Sequence, residues 1–289
     1  MNGAPRAIPE PLCGHGRPGG TLRRRGRSAV CRVCGSFWDL DSLAAEVRYD
    51  AAYCASRLHA DERTGELKFR SVARWLAAQR IDVRDLRVCE VGFGGGYVLR
   101  GLARRGAVVC GIEASPAARE SARALGLAAE RLHAAEKLPA QLEPAVDLCL
   151  FLDSFEHLPE PAAFLAWMAR SNGHGARALL VAPDAASRSA RWLGRAWPHK
   201  LPDHRFHWSR HGLCELWERA GWELRSAFAP TKLVSPAMLL AHALLKLGVV
   251  EAAAQGALAR ATPLQRLALP FNIGELGLVF QRKPGAAPA

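Results

Sequence analysis

No run of about 20 uninterrupted apolar residues, the length that crosses a bilayer as a helix, occurs in this sequence. Its most apolar stretch, Leu233 to Val250, is broken by Pro236, His242 and Lys246, so no transmembrane segment is expected. The opening residues, Met1 to Pro11, hold three prolines and no apolar core. A secretory signal is therefore not expected, and a cytoplasmic protein with reduced thiols is. Charged residues make up only 23% of the chain and apolar residues 49%, which excludes a disordered protein. At 289 residues the chain can bury a core of its own, so a stapled mini-protein is excluded as well.

Acid is the charge in short supply. Asp and Glu number 27 against 39 Lys and Arg, a net charge of +12. The shortage is sharpest at the front, where Arg6, Arg17, Arg23, Arg24, Arg25, Arg27 and Arg32 face Glu10 alone within residues 1–35. Such a patch attracts RNA, DNA or anionic lipid. No aromatic residues are interleaved among these arginines to stack on bases, so a solvated arm is the reading adopted and RNA the less favoured partner.

Of the eight cysteines, Cys54, Cys89, Cys110, Cys149 and Cys214 stand alone and read as small buried hydrophobes. Cys13, His15, Cys31 and Cys34 form C-x-H-x15-C-x2-C, the second pair followed by Gly35. Two close pairs of soft or borderline ligands suit a tetrahedral zinc, structural because four protein ligands leave no open position. The single residue inside the first pair departs from the two that a zinc knuckle usually has.

Residues 1–28, rich in Gly, Pro and Arg, read as loop, and Glu66 to Gln79 as an amphipathic helix with Leu67, Val72, Trp75 and Leu76 inward. Strand and helix then alternate. Strands are expected at Leu86–Val91, Ala107–Ile112, Val146–Leu152, Ala178–Ala182, Trp222–Phe228 and Leu276–Gln281; helices at Val98–Arg105, from Ser115-Pro116 to Gly126, at Pro161–Arg170 and at Ser209–Ala220. That pattern means an α/β fold, a doubly wound and mostly parallel sheet. Five regions follow: a basic Cys/His arm (1–38), a helical lead-in (39–85), the core (86–230), a helix-like insertion or lid (231–270), and a last strand with tail (271–289).

The first strong strand runs into Glu90-Val-Gly92-Phe-Gly94-Gly95-Gly96. A glycine-rich turn between strand and helix lets backbone approach a ligand closely. Tyr97 stands where a dinucleotide fingerprint needs its third glycine, and no Gly-Lys-Ser/Thr follows, which excludes a P-loop. Glu113, at the end of the next strand, can accept from two ribose hydroxyls. Together they suit a nucleoside without a pyrophosphate.

E-x-G-x-G-x-G followed by a strand ending in Gly111-Ile-Glu113 resembles the class I S-adenosylmethionine-dependent methyltransferases. Phe151-Leu-Asp153-Ser-Phe-Glu156-His157-Leu-Pro-Glu-Pro161 resembles the D-x-x-E-H-L-x-x-P segment of the branch holding the ubiquinone-pathway O-methyltransferases. Val181-Ala-Pro183-Asp184, His204, Trp208-Ser209, Ala220-Gly221-Trp222 and Arg48-Tyr49-Asp50-Ala-Ala-Tyr53 are similar to that branch in the same order. The resemblance implies a Rossmann-like fold with an antiparallel last strand. It further implies that S-adenosyl-L-methionine is bound by Glu90 at the methionine end, by Gly92, Gly94 and Gly96 along the turn and by Glu113 at the ribose, with Asp153 alongside and Glu136 a weaker adenine candidate.

In such a transfer the cofactor supplies the electrophile, so the protein positions the acceptor and removes its proton. A histidine is the natural base for an oxygen acceptor. Among His157, His199, His204, His207 and His211, the expected catalytic residues are His157 and His204. Asp153, Glu156 and His157 are the alternative as a Mg²⁺ site, less favoured because histidine is an uncommon ligand for that ion. The expected acceptor is a small molecule or lipid-linked hydroxyl. The competing expectations are an RNA methyltransferase, against which the absence of an Asn/Asp-Pro-Pro-aromatic loop after the fourth strand argues, and a cofactor-binding relative without turnover.

Overall fold

The arginine-rich stretch does not stay a loop as far as residue 28. In the computed structural model, which describes residues 22–25, 28–40, 62–201, 203–246 and 266–284, β1 (Leu22–Arg25) and β2 (Ser28–Cys31) pair antiparallel, and β3 (Phe37–Asp39) pairs with β2. Alternation along Ser-Ala-Val-Cys turns Ala29 and Cys31 inward, where both are buried with Trp38. Phe37 and Trp38 continue the sheet by pairing with His207 and Phe206, so this small sheet is docked on the main body.

α1 (Glu62–Ala78) begins at Glu62 rather than Glu66 and buries Leu67, Val72, Trp75 and Leu76 as the spacing requires. The chain then alternates through β4 (Arg87–Val91), α2 (Tyr97–Ala103), β5 (Val108–Glu113), α3 (Pro116–Ala124) and β6 (Leu132–Ala134). β7 (Val146–Leu152), α4 (Pro161–Ser171) and β8 (Asn172–Pro183) follow, then α5 (Arg188–Leu193), β9 (Phe206–His207), α6 (Arg210–Arg219) and β10 (Trp222–Phe228). β11 (Lys232–Val234), α7 (Pro236–Lys246), β12 (Leu269–Phe271) and β13 (Glu275–Arg282) complete the described elements.

Seven strands form the central sheet in the order β10-β13-β8-β7-β4-β5-β6. β4 to β8 run parallel, and β13 runs antiparallel to both of its neighbours. This is the Rossmann-like, doubly wound sheet with an antiparallel last strand. Its middle strands are buried on both faces, so they read as continuous apolar runs. Asp147 is the exception in β7. Its carboxylate accepts from the Arg87 backbone N–H at 2.9 Å and from the Arg87 guanidinium at 2.8 and 2.9 Å. The chain moves outward from β4 to β6 and then returns to β7 on the other side of β4. That reversal opens a crevice above the carboxyl ends of β4, β5 and β7.

The 231–270 stretch is not helical throughout. Lys232 pairs with Phe271 and Val234 with Leu269, an antiparallel pair that frames α7; residues 247–265 lie outside the described residues. Thr231 to Ser235 sits between Pro230 and Pro236, and a residue before proline is held extended. β11 lies on α1, where the Ser71 hydroxyl accepts from the Leu233 N–H at 2.8 Å and the Trp75 indole donates to the Thr231 carbonyl at 3.2 Å. No helix among the described residues is long and apolar enough to cross a membrane.

Candidate functional site

The glycine turn, the ends of β5 and β7, and β11 with α7 enclose one cavity of about 940 Å³. Gly92 to Gly95, Glu113 and Ser115 line one end; Asp153, Glu156, His157, His199 and His204 line the other. Trp75, Leu158, Phe164, Trp167 and Met238 supply apolar wall between them.

At the first end the turn is built around Glu113. Its Oε2 accepts from the Gly94 N–H at 2.8 Å and its Oε1 from the Ser115 N–H at 2.9 Å. Each oxygen keeps a lone pair for a ligand hydroxyl, and the side chain needs no rearrangement to offer it. Gly94 has φ 55°, and a Cβ there would meet nothing within 4 Å. The left-handed backbone favours glycine, and the open space beyond it is cavity. Gly96 does something else. A Cβ at that position would stand 2.7 Å from the Ala122 Cβ, so its role is the approach of α2 to α3, and it does not line the cavity. Ser115 caps α3 by accepting from the Ala118 N–H at 3.3 Å. Glu136 lines the cavity but is exposed, 3.8 Å from Arg119.

Glu90 lies beneath this floor rather than in it. The residue is fully buried, neither carboxylate oxygen has a hydrogen-bond partner, and the Lys68 ammonium is 3.9 Å away. Burial pushes its carboxyl up to about 8 against the pull of Lys68. Any influence on a bound ligand passes through Lys68, which does line the cavity.

The second end holds a partly buried ionic cluster. Asp153, held at φ 58° at the end of β7, accepts from the Lys232 ammonium with both oxygens, each at 2.7 Å. Lys232 also donates to Glu275, whose Oε1 is 3.5 Å from His199 Nε2. Burial works against the Asp153 charge, but Lys232 and then Lys68 outweigh it and bring the carboxyl to about 2. Glu156 has no such cation beside it. Its oxygens have no hydrogen-bond partner, and burial, reinforced by Asp153, pushes it up to about 8. His204 Nε2 stands 4.0 Å from Glu156 Oε1, and the His157 and His204 rings meet edge to face at 4.7 Å. His157 Nδ1 is 2.9 Å from the Asp203 carbonyl oxygen. A carbonyl only accepts, so Nδ1 carries the proton and Nε2 is the basic nitrogen.

Of the remaining histidines, His199 joins the cluster, while His207 stacks on Phe37 at 4.3 Å and His211 lies on the exposed side of α6. Burial pushes His207 down to about 4. The set Asp153, Glu156, His157 does not fit a magnesium ion, because Lys232 already sits in the bite of Asp153. Glu156, His157 and His204 each offer an atom within 4.8 Å of the others, a donor set with two imidazoles that suits a transition metal better than magnesium. Cys13 and His15 lie outside the described residues. Cys31 and Cys34 are buried, and the Cys34 thiol donates to the Ser36 hydroxyl at 3.2 Å.

Residues 60–227 match the family model of a methyltransferase domain. The chain belongs to this family. Over 96 residues it is 38% identical to a ubiquinone biosynthesis O-methyltransferase of Alkalilimnicola ehrlichii, covering 30% of this chain and 39% of that protein. A protein of the same description from Aeromonas salmonicida is 26% identical over 171 residues, 52% of this chain and 68% of that one. The first of these matches thus spans about two-fifths of its relative's length. Among solved structures, the methyltransferase in the Haloferax volcanii complex with the Trm112 methyltransferase activator superposes with a TM-score of 0.53 at 19% identity, over 82% of this chain and all of that one. That likeness establishes the fold.

Nothing in the sequence around this methyltransferase domain singles out Lys68, Lys232 or Glu275, the last two lying beyond the matched residues. Lys232 is 79 residues from Asp153 and 43 from Glu275, distances over which no local spacing signals a pair. Lys232 also falls in the stretch read as a lid helix.

Proposed function

We propose that the chain transfers the methyl group of S-adenosylmethionine to a hydroxyl oxygen of a small or lipid-linked acceptor, with His204 and His157 removing the acceptor proton. The observation that carries this reading is the Glu113 carboxylate, fixed by two backbone N–H groups at an open glycine turn, in the same cavity as His157 and His204. The relatives described as O-methyltransferases support oxygen as the accepting atom.

When bound, S-adenosylmethionine supplies a methyl group on a sulfonium, ready for in-line displacement. Glu113 holds the ribose hydroxyls, Gly94 leaves room for the ligand against the turn, and Gly92 lines the cavity where a Cβ would stand 2.6 Å from the Ser154 Cβ. Trp75, Phe164 and Trp167 exclude water around the acceptor. His157 Nε2 is free of the proton that Nδ1 shares with the Asp203 carbonyl. The Glu156 carboxyl, which burial holds neutral near pH 7, lies 4.0 Å from His204 Nε2. His204→Ala is expected to lower turnover by roughly a hundredfold or more, the usual worth of a general base, with cofactor affinity by calorimetry unchanged. Wild-type turnover in this variant would remove His204 from the mechanism.

A structural zinc on Cys13, His15, Cys31 and Cys34 belongs to the proposal. Its support is the tight turn between β2 and β3, where the Gly35 N–H donates to the Cys31 carbonyl at 2.9 Å and the Cys31 N–H to the Ser36 carbonyl at 2.8 Å. Elemental analysis of the purified chain is expected to find one zinc, lost in Cys34→Ser. A metal-free wild-type chain would contradict it.

A further inference from the structure

We infer that Cys89 and Cys110 form a peroxide-oxidisable dithiol at a second cavity of the fold, with Cys110 as the attacking thiol and Cys89 as the resolving one. The two residues are register partners on the parallel strands β4 and β5. Adjacent strands lie about 4.8 Å apart, within the roughly 4.4–6.8 Å that a disulfide spans between Cα atoms. Both side chains point to one face of the sheet, into the core that holds Val91, Ile112 and Phe151. Cys149 extends the row on β7, opposite Cys89. Three thiols thus stand side by side across the middle of the sheet.

Their surroundings divide the roles. Cys110 is half-buried and lines a cavity of about 330 Å³ near the amino ends of β4, β5 and β7, away from the glycine turn. Glu130, Arg131 and His133 line the same cavity. A hydrogen bond from the Cys89 thiol, with the Arg131 charge adding to it, draws Cys110 below the ordinary thiol range despite burial. The thiolate is the nucleophile, so Cys110 is both the reachable and the activated member. Cys89 is buried, and its hydrogen bond to Cys110, together with burial, pushes it up. Cys149 is buried as well; it accepts from the Asn172 amide at 3.2 Å, and burial pushes it up to about 12. That environment keeps Cys149 a thiol and leaves Cys89 as the partner of Cys110.

The oxidant is a hydroperoxide. The Cys110 thiolate attacks one peroxide oxygen, forming an S–O bond as the O–O bond breaks. The expelled oxygen takes up the proton that Cys110 had lost and leaves as water or an alcohol, and Cys110 is then a sulfenic acid. The Cys89 sulfur attacks the Cys110 sulfur, so the S–S bond forms as the S–O bond breaks. The departing hydroxide takes the Cys89 proton and leaves as water. Two thiols are oxidised to a disulfide and one peroxide is reduced; a thiol reductant reverses the bond by exchange.

Peptide mapping of the reduced full chain tests this without cofactor or acceptor, so its outcome is independent of methyl transfer. After hydrogen peroxide and alkylation, a disulfide-linked pair of peptides carrying Cys89 and Cys110 is expected, and dithiothreitol should remove it. Cys214, also half-buried but pushed up by burial, is the internal control and should be oxidised more slowly than Cys110. Cys110→Ser should abolish linkage at Cys89. Cys89→Ala should leave Cys110 as a sulfenic acid that dimedone traps, with circular dichroism controlling for folding. The map of the wild-type chain decides the matter even if that variant folds poorly. Linkage of Cys89 to Cys149, a sulfinic acid at Cys110 without linkage, or two free thiols under peroxide that oxidises Cys214 would each overturn the inference.

Discussion

Glu113→Ala is expected to weaken S-adenosylmethionine binding about a hundredfold or more, since two hydrogen bonds to a charged acceptor contribute roughly 1.5–3 kcal/mol each. The geometry sets the size of the effect. Both carboxylate oxygens are positioned before any ligand arrives, by N–H groups of Gly94 and Ser115 at 2.8 and 2.9 Å, so binding requires little reorganisation there. Alanine removes the ribose partner and also releases the glycine turn. Glu113→Gln separates the two effects. Its amide oxygen can satisfy only one of the two N–H groups, and its amide nitrogen then faces the other, so partial recovery of affinity is expected. Calorimetry with S-adenosylhomocysteine reads both variants. Wild-type affinity in Glu113→Ala would show that the ribose is held elsewhere.

Lys232→Met should produce the largest loss of stability. It leaves Asp153 and Glu275 facing each other in a partly buried site, and breaking a buried ion pair by removing one partner costs about 3–5 kcal/mol, an upper bound for this half-buried pair. The pH dependence identifies the cause. In the wild type Asp153 is held near 2, below its value in an unfolded chain. The pair therefore stabilises the fold above about pH 4, and that stability is lost as pH falls toward about 2. Without Lys232, only Lys68 and His199 oppose burial, and the folded-state value rises. The variant is then penalised little in acid, where the carboxyls are neutral, and increasingly as pH rises. Thermal melts between acid and neutral pH should show the gap in Tm widening with pH. Lys232→Arg, which keeps the charge, should recover part of it. A gap independent of pH would mean that lost packing explains the variant.

What the sequence made legible was whatever neighbouring residues determine. Val146–Leu152 and Trp222–Phe228 match the expected strands residue for residue, because an apolar run or a capped, glycine-closed helix carries its own boundaries. The Ser115 cap and the Glu113 position likewise follow from short spacing. β6 and β9 were not expected, since two or three residues carry no period. The helix reading of 231–270 missed the pairing of β11 with β12, whose partners are separated by most of that stretch. At the site, three equally spaced glycines look alike in sequence. Only packing separates Gly94, open to the cavity, from Gly96, pressed against Ala122. The same holds for Glu90, whose motif suggests a ligand contact and whose burial places it a layer below. Lys232 was illegible for the opposite reason: its partners come from two distant strand ends, β7 and β13.

The central claim is that the turn after β4 and the carboxylate at the end of β5 bind the adenosyl cofactor. Titrating S-adenosylhomocysteine into the folded wild-type chain in a calorimeter tests it most directly. The account predicts saturation at one ligand per chain; a chain that is folded by circular dichroism yet releases no heat would contradict it.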